Sequence, residues 1–128
     1  MSKADIVKEW IFLADSDLNS AVFLKGMFPV PIEIICYHCQ QCAEKYLKAF
    51  LAFNDELIIK THDLTILNKM CNKINAGFSS IEEQCLRLTD YSTNVRYPTS
   101  LDINENDMNL AIIDATKIKI FINNLINN

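Results

Sequence analysis

The chain has 128 residues, of which half are apolar and 22% are charged, and its net charge is −4. This length and composition predict a single folded domain over residues 1–128 and exclude wholesale disorder. With two glycines and three prolines the chain lacks the turn residues of an all-β fold, and no apolar run approaches the ~20 residues of a membrane-spanning helix. No stretch is a basic block, which argues against nucleic-acid binding over a large charged surface, and no signal peptide is visible, so we expect a cytoplasmic protein.

Apolar residues at helical spacing predict two long helices in the first half of the chain. The first helix is expected over residues 3–25, because Gly26 follows and can end it. The second helix is expected over residues 31–53. The apolar side of the second helix is formed by Cys36, Cys39, Ala43, Tyr46, Leu47 and Phe50. These two helices carry most of the polar residues that could form a site.

Shorter helices are predicted in the second half. Asp63 can cap a third helix, and Ser79 or Ser80 can open a fourth through a capping box. The fourth is expected to end near Arg96, because a proline follows two residues later. A fifth helix can begin at Asp102. Together the pattern predicts an all-α, up-and-down antiparallel bundle of about five helices.

The five cysteines are Cys36, Cys39, Cys42, Cys71 and Cys85. An odd number without a secretion signal indicates reduced thiols. The first three are spaced by three residues, as some metal ligands are, but they lie in the apolar stripe of a helix and no fourth sulfur follows at a matching spacing. We therefore predict buried thiols, with no metal and no cofactor.

Asp17 falls within the apolar arc of the first helix. A buried carboxylate needs a partner, and the natural candidates are Arg96 or a residue of the second helix. The alternative is an acid at the edge of the face that reaches water.

His38, Gln41, Lys45 and Lys48 form a polar stripe on the second helix. The stripe is interpreted either as a solvated face or as a donor-rich surface for a phosphate or an adenine edge. Before the third helix, residues 60–63 read Lys-Thr-His-Asp, which are either helix caps or an anion site at the helix start.

Ile113 and Ile120 lie outside the broad apolar face of the fifth helix. They are either two isolated exposed residues or the ridge of a second contact, such as a homodimer interface.

The following motifs stand in order along the chain: Trp10, Ala14 and Asp17-Leu18; Cys36-Tyr-His-Cys-Gln-Gln-Cys-Ala-Glu-Lys-Tyr-Leu-Lys-Ala49; Lys60-Thr-His-Asp-Leu64; Tyr91; and Arg96-Tyr-Pro98. In this order they resemble the HEPN family (higher eukaryotes and prokaryotes nucleotide-binding) over about residues 4–126. The resemblance implies a helical bundle, usually dimeric, in a prokaryotic cytoplasm. It also implies a neighbouring nucleotidyltransferase partner, as a toxin–antitoxin pair or a split transferase.

Some HEPN proteins are metal-independent ribonucleases that carry an arginine followed, four to six residues later, by a histidine. This chain has no histidine after His62, so catalysis by that motif is not expected. The Arg-Tyr-Pro form is similar to the branch linked to nucleotide binding and nucleotidyltransferase partners.

We therefore predict a non-catalytic HEPN-like module that binds a nucleotide or a partner nucleotidyltransferase. The predicted site residues are His38, Gln41, Lys45, Lys48, His62, Arg96 and Tyr97, with Arg96 holding phosphate and Tyr97 stacking on a base. The alternatives are a divergent HEPN ribonuclease toxin, in which His38 or His62 replaces the missing base, and a purely structural interaction module.

Overall fold

The structure is a computed structural model that describes residues 1–92 and 102–127. It is an all-α bundle, as the periodicity predicts. The described residues form five α-helices: α1 (Lys3–Leu24), α2 (Ile32–Phe53), α3 (Leu64–Ile74), α4 (Glu82–Thr89) and α5 (Glu105–Ile126). A short 3₁₀ segment, Ala76–Ile81, precedes α4.

Three helices begin at side-chain caps. Ser2 caps α1 in a reciprocal pair with Asp5, and Asp63 accepts hydrogen bonds from the first backbone amides of α3, as predicted. The start of α5 differs from the prediction, because Asn104 rather than Asp102 is the cap. Asn104 forms the capping box, with Asp107 at the third helical position.

The prediction for α4 was wrong at both ends. No serine caps it, because the chain first makes the 3₁₀ segment, in which the Ser79 hydroxyl donates to the Ala76 carbonyl. The helix ends at Thr89, well before Arg96, and residues 90–92 form a turn. At that end the Thr89 hydroxyl accepts a hydrogen bond from the backbone amide of Leu64 at 3.0 Å, which ties the end of α4 to the start of α3.

The core of the bundle is built around α2, which packs against each of the other four helices, most extensively against α1 and α5. Its buried side includes Tyr46 and Leu47, and Phe50 contacts the ring of Phe78, which in turn contacts Phe121. Centroid distances of 4.6 and 4.9 Å join these three rings across the bundle. This packing fixes the position of the polar residues that share α2.

All five cysteines are buried, as their place in the apolar stripes predicts. Burial raises the pKa of Cys36, Cys71 and Cys85 to about 12 and the pKa of Cys39 and Cys42 further still, because a thiolate would be desolvated there. Among the described residues no three histidine, cysteine or acidic side chains are grouped as a metal site would require. Within the same residues, no helix is long and apolar enough to cross a bilayer.

Two ion-paired clusters fasten α5 to the rest of the bundle. Asp114 receives two hydrogen bonds of 2.9 Å from the guanidinium of Arg87 on α4, a bidentate pair that raises the pKa of Arg87. At the other side Lys119 pairs with Asp15 of α1 at 3.0 Å, and the Tyr46 hydroxyl donates to the same carboxylate. These contacts hold α1, α2, α4 and α5 in fixed relation.

Candidate functional site

The candidate site lies where α1 covers the polar side of α2. Positions 38, 41 and 45 of α2 are separated by three and four residues, so they project from one side of the helix. Asp17 of α1 faces them and is buried. This face is therefore not an open solvated stripe.

Asp17 is the centre of the first polar cluster. One carboxylate oxygen lies 2.9 Å from Nδ1 of His38, and the other lies 2.5 Å from Nζ of Lys45. Of the two interpretations left open by the sequence, a paired and a water-exposed Asp17, the structure shows the paired one, with partners on the second helix. Both oxygens are engaged, so the imidazole and the ammonium group are held in place by one carboxylate.

Glu44 is the centre of a second polar cluster, which also lies on α2. Its carboxylate lies 3.0 Å from Nζ of Lys48 and 2.9 Å from Nδ1 of His62, in the segment before α3. Gln40 donates to Glu44 at 3.3 Å and to the backbone carbonyl of His62 at 3.0 Å. Lys48 also lies 5.8 Å from the ring centroid of Trp10, a cation–π contact.

Gln41 hydrogen-bonds to the second cluster, because its amide nitrogen donates to the Gln40 side-chain oxygen at 2.8 Å. The charges of the lysines in the two clusters are balanced. Each of the two lysines, Lys45 and Lys48, has its own carboxylate, Asp17 or Glu44. The network therefore offers oriented hydrogen-bonding groups but little free positive charge.

The seven predicted site residues are divided by the fold. His38 and Lys45 meet at Asp17, whereas Gln41 bonds to Gln40. Lys48 is buried beside Glu44, and His62 contacts the same Glu44 carboxylate from the segment before α3. The two remaining predicted residues, Arg96 and Tyr97, lie outside the described residues.

Sequence reasoning missed the roles of Glu44 and Gln40. Gln40, Glu44 and Lys48 are spaced by four residues along α2, a row in which a glutamate precedes a lysine by one turn. This spacing is the signal that could have separated Lys48 from the His38 cluster.

An open cavity of about 330 Å³ lies between α3, the 3₁₀ segment and α4, whereas a larger one of about 470 Å³ adjoins the candidate site. The larger cavity is lined by His38 of α2 and by four residues from the last turns of α1: Asn19, Ser20, Phe23 and Leu24. The Asp17 cluster therefore has an opening to the surface through His38.

Both histidines hold Nδ1 against a buried carboxylate, which leaves Nε2 available to a ligand. An ionised carboxylate only accepts hydrogen bonds, so Nδ1 carries the hydrogen and Nε2 of the neutral ring is an acceptor. The arrangement can bind a hydrogen-bond donor or accept a proton, with the carboxylate orienting the ring.

Comparison with known proteins identifies the family of the chain. The sequence model of the HEPN domain matches residues 7–125, nearly the whole chain. The structure resembles ST0689, an archaeal HEPN homologue, with a TM-score of 0.74 and 26% identity, covering 94% of this chain and 97% of that one. It also resembles TT1696 from Thermus thermophilus, with a TM-score of 0.81 and 20% identity, covering 92% of this chain and 96% of that one. This second similarity shows that the two proteins share a fold.

No curated protein matches the chain at a significant level. The family model covers far more than half of the sequence, and the five-helix bundle agrees with it. The chain therefore belongs to the HEPN family.

Proposed function

We propose that this chain is a non-catalytic HEPN module that binds a nucleotide, a partner nucleotidyltransferase or both, as in a toxin–antitoxin pair. The observation that carries the proposal is the pairing of His38 and Lys45 with the two oxygens of the buried Asp17, beside an open cavity. Groups held in this way do not have to be ordered when a ligand binds, which lowers the entropic cost of binding.

A homodimer is part of this proposal, with Ile113 and Ile120 in its interface. Both side chains are more than half exposed, at 62% and 55%, on the outer side of α5. They are seven residues apart, and a two-fold axis would bring the same ridge from each copy into contact. A cytoplasmic location agrees with such a role.

Calorimetric titration with ATP and GTP tests the nucleotide site. We expect weak binding, micromolar to millimolar, or roughly −4 to −8 kcal/mol. Gln41→Ala and Lys45→Ala should weaken it, the second because it leaves the negative charge of Asp17 uncompensated next to the ligand. Lys73→Ala is the control, since Lys73 is exposed in the last turn of α3. Absence of heat with either nucleotide at millimolar concentration would leave a purely structural interaction module.

One observation favours a divergent ribonuclease as a second candidate. His62 is 66% exposed and its Nδ1 is held by Glu44, which is the geometry of a histidine base oriented by a carboxylate. A metal-free nuclease also needs a cation at the phosphate, and the nearby Lys48 is already paired.

Incubation with labelled RNA in the presence of a chelator separates the two candidates. We expect negligible cleavage by the isolated chain. Robust cleavage that is lost in His62→Ala and retained in Lys73→Ala would establish the ribonuclease in place of the non-catalytic module.

A further inference from the structure

We propose that the cavity beside His38 is a nucleobase pocket, so that the site recognises the base of its nucleotide in preference to the phosphates. This inference rests on the proposed function and assigns a role to residues of α1 that no motif indicates. The base would be one with an exocyclic amino group, of the adenine type.

The lining of the cavity suits a flat, uncharged ring. It consists of an aromatic ring, an aliphatic chain, an amide, a hydroxyl and an imidazole, with no carboxylate or ammonium group among them: Phe23, Leu24, Asn19, Ser20 and His38. Small-molecule pockets combine apolar walls with a few polar groups in this way. The cavity, of about 470 Å³, is widely open to solvent, so a base would lie against its floor with one side exposed.

Phe23 supplies the stacking surface. Its side chain is 82% exposed although it belongs to the rim of a cavity. An exposed aromatic ring beside hydrogen-bonding groups is the recurring platform on which proteins stack a base. Phe12, on the same helix, is also exposed, at 69%, but does not line this cavity.

His38 would fix the orientation of a bound base. Its Nδ1 is held at 2.9 Å by Asp17, which Lys45 holds in turn at 2.5 Å, so the ring has one orientation. Nε2 of the neutral ring is then an acceptor on a residue that lines the cavity, and its complement is a donor such as an exocyclic amino group. The amide of Asn19 and the hydroxyl of Ser20 can serve the remaining polar edge of a base.

The charge balance argues against recognition through phosphate. The cations of the two clusters, Lys45 and Lys48, are each matched by a carboxylate within 3.0 Å. A di- or triphosphate that approached them would meet Asp17 and Glu44 as well. In the described part of the site, neutral groups rather than net charge therefore carry the recognition.

Titration of the full chain with adenosine, ATP and inorganic triphosphate tests the pocket. We expect adenosine to bind within about threefold of ATP, and triphosphate alone not to compete. Purine riboside, which lacks the amino group, should bind more weakly than adenosine. Phe23→Ala should weaken adenosine binding about tenfold through loss of stacking, whereas Phe12→Ala should leave it unchanged.

Each outcome decides between the pocket and the wider proposal. If ATP and triphosphate bind and adenosine does not, the base pocket is wrong while nucleotide binding stands. If Phe12→Ala weakens binding as much as Phe23→Ala, or purine riboside equals adenosine, the pocket is likewise overturned. If neither ATP nor adenosine binds, both the pocket and the proposed nucleotide site are wrong.

Discussion

The Arg87–Asp114 pair should respond very unequally to removal of its two partners. The side chain of Asp114 is only 3% exposed, whereas that of Arg87 is 40% exposed and lies 3.8 Å from Glu83 as well. Arg87→Ala leaves a buried carboxylate without a counter-ion, which costs about 3 kcal/mol of unfolding free energy. Asp114→Ala leaves a guanidinium that can turn to water and to Glu83, so the cost should be about 1 kcal/mol. The pair joins α4 to α5, the two helices on either side of the Arg96-Tyr97 motif in the sequence.

Urea unfolding followed by far-ultraviolet circular dichroism measures both values, since the helices unfold together in a small domain. The double variant should be about as stable as Asp114→Ala alone, because the unpaired carboxylate is then absent. Glu83→Ala is the matched control and should lie within about 0.5 kcal/mol of the wild type, since Glu83 is 85% exposed. A variant Asp114→Ala that costs as much as Arg87→Ala would refute the argument from burial.

Three further predictions concern acid stability, thiol access and assembly. Hydrogen bonding from Thr65 holds the pKa of Asp63 below its usual value. The stability that the ionised Asp63 contributes is therefore present above about pH 4 and is lost as the pH falls through the lower pKa of the folded state. Between pH 2 and 7, the midpoint of thermal unfolding should fall less steeply with acid in Asp63→Asn than in the wild type. Burial raises the pKa of Cys71 to about 12, and the other four thiols are also buried. A disulfide reagent at pH 8 should therefore label none of the five cysteines until the chain is unfolded. Rapid labelling of the native chain would contradict this. Ile113→Lys combined with Ile120→Lys should convert a dimer into a 14.7 kDa species in light scattering; a wild type that is already monomeric at micromolar concentration would remove the proposed interface.

The balance of charge in the site constrains how the nucleotide hypothesis should be pursued. Lys45 and Lys48 stand three residues apart in the sequence and suggest a positively charged surface. In the fold, Lys45 pairs with Asp17 and Lys48 pairs with Glu44. A screen that relies on phosphate affinity would therefore probe lysines that already have acidic partners. Nucleosides with different bases are the more informative first probes.

Local interactions made much of this protein predictable from its sequence. The lengths of α1 and α2 follow from apolar residues that recur every three or four positions, and the cap at Asp63 depends on amides only two and three residues away. The burial of the cysteines follows from the same periodicity. Such features involve neighbours in the chain, so a single sequence contains what determines them.

The tertiary structure decided the features that depend on distant partners. At the end of α4 the Thr89 hydroxyl accepts a hydrogen bond from the backbone amide of Leu64. No local sequence pattern around Thr89 predicts that the helix ends there. The polar stripe of α2 was divided between two carboxylates, because its side chains are covered by α1 and by the segment before α3. An error of one residue in helical phase moves a side chain by about 100°. Only the packed helices could therefore determine that Asp17 meets His38 and Lys45, which lie 21 and 28 residues further along the chain.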